Sequence, residues 1–497
     1  MVGVLQVIGA VSVVVCIALL MRWRFDPLYH IPAIGPSSPL LSYLGAYRYC
    51  RNAKDMLQEG YNKYKVFRVP YIDRWIVIVS GPDMNEELRR FPDSHVSFEV
   101  AASEIIQTKY TIAPNLHRHP IHLPVIRGPL TRNLNVVFAG VIDEIQKAFV
   151  DVIPINEDEW TKVHAIKVMA QDFRQFDLDE TSLLEGRDPE YLDTVVNFTF
   201  NVTRGRFILS FVPSLFKSAV GHMLPWSKRA IRRASVFLKP LIEERKKKLR
   251  QLGDDWSDKP NDLLMWLMDE ARKVGEDDDL VVQSVLMSNF AAIHTSSHSI
   301  THALYHLAAN PEYVQPLREE AEFIIKEHGW TKAAMGKMRK LDSFMRESQR
   351  LNGITSLTVM RQVLQSITLS DGTYIPAGTI ISASARSTHD DKQLYDRADE
   401  FDPFRFSDMR EGDSEGLKHQ YVTTSPEYVA FGHGKHACPG RFFAVNELKV
   451  MMVYMLLNFD IKFEHEGGRP ENLNIWHSVL PAPNVNLMFR KRRDVLT

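Results

Sequence analysis

Phe431-Gly432-His433-Gly434-Lys435-His436-Ala437-Cys438-Pro439-Gly440-Arg441 is the stretch on which the reading of this chain turns. Glycines at 432, 434 and 440 let the backbone take tight paths around a single cysteine. Backbone N–H groups in such a loop can turn toward the sulfur and stabilise a thiolate. Arg441-Phe442-Phe443-Ala444 then opens a helix, and a helix N-terminus also favours an anion. A lone cysteine in a glycine-rich turn is ordinarily structural. The spacing of glycines and bases here argues instead for a ligand.

The rest of the composition narrows what that ligand can serve. The chain has 497 residues, with 60 Lys+Arg against 61 Asp+Glu and a net charge of −1. An apolar share of 45% and a charged share of 24% describe an ordinary globular protein. They exclude a disordered chain and a strongly basic nucleic-acid binder. The other cysteines are Cys16 and Cys50, so no disulfide framework exists and a reducing compartment is expected. Cys438 is left with a soft thiolate suited to haem iron.

Val2–Met21 reads VGVLQVIGAVSVVVCIALLM, an apolar run followed by Arg22 and Arg24. Twenty helical residues reach about 30 Å, a bilayer's hydrocarbon thickness. The absence of an early positive charge argues against a cleaved signal peptide. Basic residues after the run predict a cytosolic body on a single-pass anchor in the endoplasmic reticulum membrane. Ile31 to Pro39 carries three prolines and reads as a stiff hinge. The expected organisation is an anchor over 1–24, a proline-rich hinge over 25–40 and a catalytic domain over 41–497.

Beyond the hinge the chain predicts a mainly α protein with small β-sheets, an α+β fold. Strand-like runs lie at Tyr64–Val69 and Trp75–Ser80, the second ending at Gly81-Pro82. Ile231–Leu252 reads as a helix whose charge run, Glu243 to Lys248, forms a solvated face. A long helix is expected from about Leu280 to Ala309, stopped by Asn310-Pro311. Its apolar pattern breaks at His294-Thr295-Ser296-Ser297-His298-Ser299. Ser366–Leu369 and Thr373–Ile375 flank Asp371-Gly372 as a hairpin. His117, His119 and His122 cluster in sequence, but Pro120 interrupts helical spacing and argues against a zinc site.

The loop at 431–440 resembles the cysteine-ligand loop of the cytochrome P-450 family, Phe-x-x-Gly-x-(Arg/His)-x-Cys-x-Gly, at every fixed position. The resemblance implies a haem b with Cys438 as proximal thiolate, His436 on a propionate and Phe431 among the cofactor-binding residues. Glu347-Ser348-Gln349-Arg350 is similar to the family's Glu-x-x-Arg, and Pro403-Phe404-Arg405-Phe406 to its Pro-x-Arg-Phe segment. A structural triad of Glu347, Arg350 and Arg405 follows from the likeness. Ala291-Ala292-Ile293-His294-Thr295 resembles the oxygen-pocket pattern (Ala/Gly)-Gly-x-(Asp/Glu)-Thr, with His294 where the family has an acid. Thr295 is thus expected in proton delivery, with His294 as a candidate relay. Arg361 and either Arg127 or Arg132 are the further propionate candidates; Leu123 to Arg127 lacks the family's Trp.

The expected function is a haem-thiolate monooxygenase that inserts one atom of O2 into an apolar small molecule. The Ala-Ile-His-Thr-Ser form resembles a fungal branch that includes terpenoid oxidases, which suggests a terpenoid substrate in secondary metabolism. The chain has no flavin or nicotinamide motif, so electrons are expected from an NADPH-dependent cytochrome P-450 reductase. Lys435, Arg441 and Lys449 are candidates for its docking face. An isomerase or dehydratase on the same fold is disfavoured by the retained Thr295. A non-enzymatic haem-binding membrane protein stays open on sequence alone.

Overall fold

In the computed structural model, residues 13, 17, 20–21, 23–39, 41–153, 159–169, 188–410 and 416–493 are described. Helix α1 (Leu41–Lys63) leads into the antiparallel pair β1 (Val66–Pro70) and β2 (Trp75–Val79), then α2 (Pro82–Arg90), β3 (Val96–Ser97) and α3 (Phe98–Ile106). The helical body follows: α4 (Thr131–Val152), strand β4 (Thr161–His164), α5 (Pro189–Ser210), α6 (Trp226–Leu252) and α7 (Leu263–Val274). It continues through α8 (Asp278–Ala309), α9 (Val314–His328) and α10 (Arg339–Leu351). Strands β5 (Leu357–Val363), β6 (Ile367–Thr368), β7 (Tyr374–Ile375) and β8 (Ile380–Ser384) precede α11 (Arg441–Asn458). The chain closes with β9 (Phe459–Phe463), β10 (Leu473–Ile475), β11 (Ser478–Leu480) and β12 (Asn486–Lys491), and short helical turns join these elements.

The main sheet has the order β1-β2-β8-β5-β3, with β2 and β8 parallel and the other pairs antiparallel. All five residues of β1 and of β8 are buried; β8 is an apolar and small-residue run, and in β1 the buried Arg68 is paired with Asp26 at 3.2 Å. The hairpin expected around Asp371-Gly372 is β6–β7. The proline-rich stretch docks on this sheet: Ile34 N–H donates to the Arg68 carbonyl at 3.0 Å, and Ile31 and Ile34 are buried.

Helix α8 spans 32 residues and is buried along most of its length, because it passes through the main core. Asp277 caps its start by accepting from Asp279 N–H. It ends at Asn310-Pro311, as the sequence signals. Helix α10 is buried from Leu341 to Leu351 although it carries Asp342, Arg346, Glu347 and Arg350. Its apolar face, Leu341, Phe344 and Met345, enters the main core, and buried polar contacts hold the opposite face.

Two sequence expectations are corrected here. The membrane-spanning helix over Val2–Met21 is not carried by the structure: among the described residues no helix is long and apolar enough to cross a membrane. Even α8 has the length but not an unbroken apolar run. Most of Val2–Met21 lies outside the described residues, and the transmembrane character and endoplasmic-reticulum placement are withdrawn. The charge run of α6 is not wholly solvated either. Arg245 is buried and forks onto Asp262 at 2.6 and 2.7 Å, while Asp262 caps α7 by accepting from Met265 N–H.

Candidate active site

Cys438 sits between the end of the glycine loop and the first turn of α11. Its N–H donates to the Phe431 carbonyl at 2.7 Å, which closes the loop on itself. Gly432 and Gly434 take φ of 74° and 72°, so the expected freedom is used at those two glycines. The Cys438 side chain keeps accessible surface, and desolvation raises its pKa. The Gly440 and Arg441 N–H groups and the Arg441 charge pull the other way and favour the thiolate. Ile126 closes the loop from the α4 side, 3.9 Å from where a Cβ on Gly440 would stand.

Beside this loop, Arg361 and His436 meet on the Phe98 ring. Arg361, 2% exposed on β5, donates to the Met360 carbonyl at 2.8 Å and lies over the Phe98 ring at 5.9 Å. Among the described residues no carboxylate forms an ion pair with it, and burial lowers its pKa to about 10. His436 stacks on Phe98 and bonds Asp93 through Nε2 at 2.6 Å, while its buried Nδ1 has no partner. His122, which the sequence offered only as part of a histidine cluster, is buried with Nδ1 unpartnered and a pKa lowered to about 4 by burial. Arg127 is exposed on a π-helical turn, Ile126–Leu130, and Arg132 is exposed just beyond it. Phe431 packs on the main core 5.8 Å from Tyr421.

The triad residues converge. Arg350 donates to Glu347 through Nε at 2.7 Å and Nη2 at 2.8 Å, and Arg405 Nε donates to Glu347 Oε1 at 3.2 Å. Next to them, His389 accepts from Val429 N–H at 3.1 Å, and its Nδ1 bonds the Arg350 carbonyl at 3.2 Å. This ring ties α10 to the strand-like approach to the cysteine loop. Burial holds it neutral, with a pKa of about 3. The sequence registered His389 only as a departure from a motif, since its partners lie 39 and 40 residues away.

On α8, Thr295 donates to the Ala291 and Ala292 carbonyls at 2.8 and 3.1 Å, leaving its oxygen free to accept. His294 meets Phe200 of α5 edge-on at 5.5 Å. Ser296, the next residue, donates to buried Glu447 of α11 at 3.3 Å. Burial raises the Glu447 pKa to about 8, so the carboxyl holds its proton at neutral pH. No sequence signal distinguished Glu447 from an ordinary helix-surface acid.

The sequence profile of the cytochrome P450 family matches residues 32–489. The chain belongs to the cytochrome P450 family. It is similar to Cytochrome P450 monooxygenase 71 of Postia placenta, 57% identical over 477 residues and 95% of each chain. It is also similar to Cytochrome P450 monooxygenase CYP512U6 of Ganoderma lucidum, 37% identical over 495 residues, covering 98% of this chain and 96% of that one. Ent-kaurene oxidase P450-4 of Gibberella fujikuroi is 31% identical over 477 residues, covering 93% and 92%. This P450 is therefore an oxidoreductase, a monooxygenase of small apolar substrates that uses haem b on a cysteine thiolate. A reductase is the partner that family membership implies.

The donor set fits that group. A thiol whose ionised form two backbone N–H groups favour suits the iron, and a buried guanidinium with no ion-paired acid among the described residues suits a propionate. The docking face needs revision, because Lys449 is 2% exposed and bonds Asp342 at 2.8 Å, so it offers no surface charge.

Proposed function

We propose that Cys438 is the thiolate ligand of the haem and that Arg361, His436 and Arg127 hold its propionates, joined by His122. The observation that carries this reading is the closed loop at Cys438 beside Arg361 and His436, which meet on the Phe98 ring, with the Nδ1 atoms of His436 and His122 unpartnered. Phe431 supports the loop from the core side. Bound haem supplies activation of O2 for insertion into a C–H bond. Thr295 offers an accepting oxygen on α8, and His294 beside it in sequence an imidazole that can pass a proton. Glu347, Arg350 and Arg405 act as scaffold behind the loop.

The substrate we infer is an apolar terpenoid oxidised in secondary metabolism, with electrons passed from an NADPH-dependent reductase. The printed name of the Gibberella relative, an ent-kaurene oxidase, supports the terpenoid class. Reduced protein exposed to carbon monoxide should show the red-shifted Soret band of a thiolate-ligated haem. Cys438→His should lose that band together with oxygenation of substrate. Retention of both would overturn the assignment.

A further inference from the structure

His436 stands two residues before Cys438, and its two ring nitrogens have different surroundings. Nε2 meets Asp93 Oδ1 at 2.6 Å, whereas Nδ1 is buried and has no partner among the described residues. An ionised carboxylate only accepts, so the hydrogen of this bond belongs to Nε2. Lys435 also donates to Asp93, and the two bases hold the Asp93 pKa down at about 2. Asp93 is therefore ionised at any working pH.

Asp93 sits on a braced segment between α2 and β3. The Pro92 carbonyl accepts from His95 N–H at 2.9 Å and from Val96 N–H at 3.1 Å. Val96 then pairs with Val363, and Ser97 with Gln362, the neighbour of Arg361 on β5. Phe98 follows, with His436 stacked on its ring at 6.2 Å and the Arg361 guanidinium over it at 5.9 Å. One short segment thus reaches His436 twice: Asp93 holds a ring nitrogen and Phe98 holds a ring face. Those two contacts fix the rotation of the imidazole and leave Nδ1 as the nitrogen a ligand can meet.

The charges are arranged to permit this. An unmatched acid beside the haem propionates would repel them, but Lys435 forms an ion pair with Asp93. What Asp93 adds to the loop is direction for the ring, and not a negative field.

We propose that Asp93 is a positioning residue for the haem: by holding Nε2 of His436 it presents Nδ1 to a propionate, and it strengthens retention of the cofactor through that ring. This inference rests on the haem-thiolate reading of the Cys438 loop, and the test separates the two.

The holoenzyme and its variants are compared by the rate of haem transfer to apomyoglobin. They are compared also by the propionate bending band of the resonance Raman spectrum, which follows hydrogen bonding at the propionates. Asp93→Ala should speed haem loss roughly tenfold, the scale for losing a partner that orients a ligand. It should shift the band in the same direction as His436→Ala does. Asp93→Asn keeps an accepting oxygen and should fall between Asp93→Ala and the wild type. In a His436→Ala background, Asp93→Ala should change the rate by less than about twofold, the scatter of such cycles, and leave the band still. In a Lys435→Ala background it should keep its effect. An effect that survives in His436→Ala, one that disappears in Lys435→Ala, or an unmoved band in Asp93→Ala would overturn the proposal. Should Asp93→Ala fail to fold, the same cycle with Asp93→Asn decides. A wild-type carbon monoxide complex without the thiolate Soret band would sink the haem-thiolate reading, and this proposal with it; with that band present, the cycle judges Asp93 alone.

Discussion

The Ser296 hydroxyl of the long helix α8 donates to the buried Glu447 carboxyl of α11 at 3.3 Å. It joins the helix that carries Thr295 to the helix that starts at the cysteine loop. Burial raises the Glu447 pKa to about 8. A carboxyl raised on folding keeps its proton where the unfolded chain has released it. Between the ordinary carboxylate value and about 8, stability must fall as pH rises, and the loss is complete above that window. Glu447→Gln removes this dependence. Thermal unfolding of the holoenzyme at pH 5.5 and pH 8.5 should show the variant gaining on the wild type at the higher pH. Identical pH slopes for the two proteins would refute the assignment.

Glu347 is fully buried between Arg350 and Arg405, and its removal leaves two guanidiniums without their carboxylate. Breaking a buried pair in this way costs about 3–5 kcal/mol. Glu347→Ala should therefore lower the unfolding midpoint and the haem-to-protein ratio together. Normal haem content and stability with lost turnover alone would give Glu347 a chemical role instead.

Features encoded by neighbouring residues were legible in the sequence. The end of α8 is written in Asn310-Pro311, the β6–β7 turn in Asp371-Gly372, and the ligand loop in its glycine spacing. What escaped depends on partners far along the chain. Lys449 reads as a surface cation on α11, but Asp342, 107 residues earlier, draws it inside. His436 meets Asp93 across 343 residues, and Glu447 meets Ser296 across 151. Periodicity reports which face of an element is apolar, not which distant charge will come to meet it.

Gly434 is held at φ 72°, and a Cβ there would run into the Cγ and Cδ of Arg89. That arginine bonds Glu86 at 2.7 Å, and Glu86 in turn meets His433 at 3.0 Å. Gly434→Ala thus adds crowding to backbone strain inside the ligand loop. Gly275, at φ 70° and ψ 23° with nothing within 4 Å, isolates the backbone part. Gly275→Ala should cost about 1 kcal/mol. Gly434→Ala should cost more, as read by thermal unfolding, and should shed haem faster on transfer to apomyoglobin. Equal effects from the two substitutions would remove the steric argument.

His294 is where this chain departs from the acid of its family's pattern. The Thr295 hydroxyl spends its hydrogen on helix carbonyls at 2.8 and 3.1 Å, so as it stands it accepts more readily than it donates. A second group able to carry protons is then useful. An imidazole can do this without a fixed negative charge. Its ring already meets Phe200 edge-on at 5.5 Å, so His294→Phe preserves an aromatic contact of similar shape. The variant should keep its haem and its substrate affinity while sending more NADPH-derived electrons into hydrogen peroxide. Product formed per NADPH should fall several-fold, as in Thr295→Ala. If His294→Phe couples electrons to product as well as the wild type while Thr295→Ala does not, the protons travel by Thr295 and solvent, and His294 serves only to pack α8 against α5.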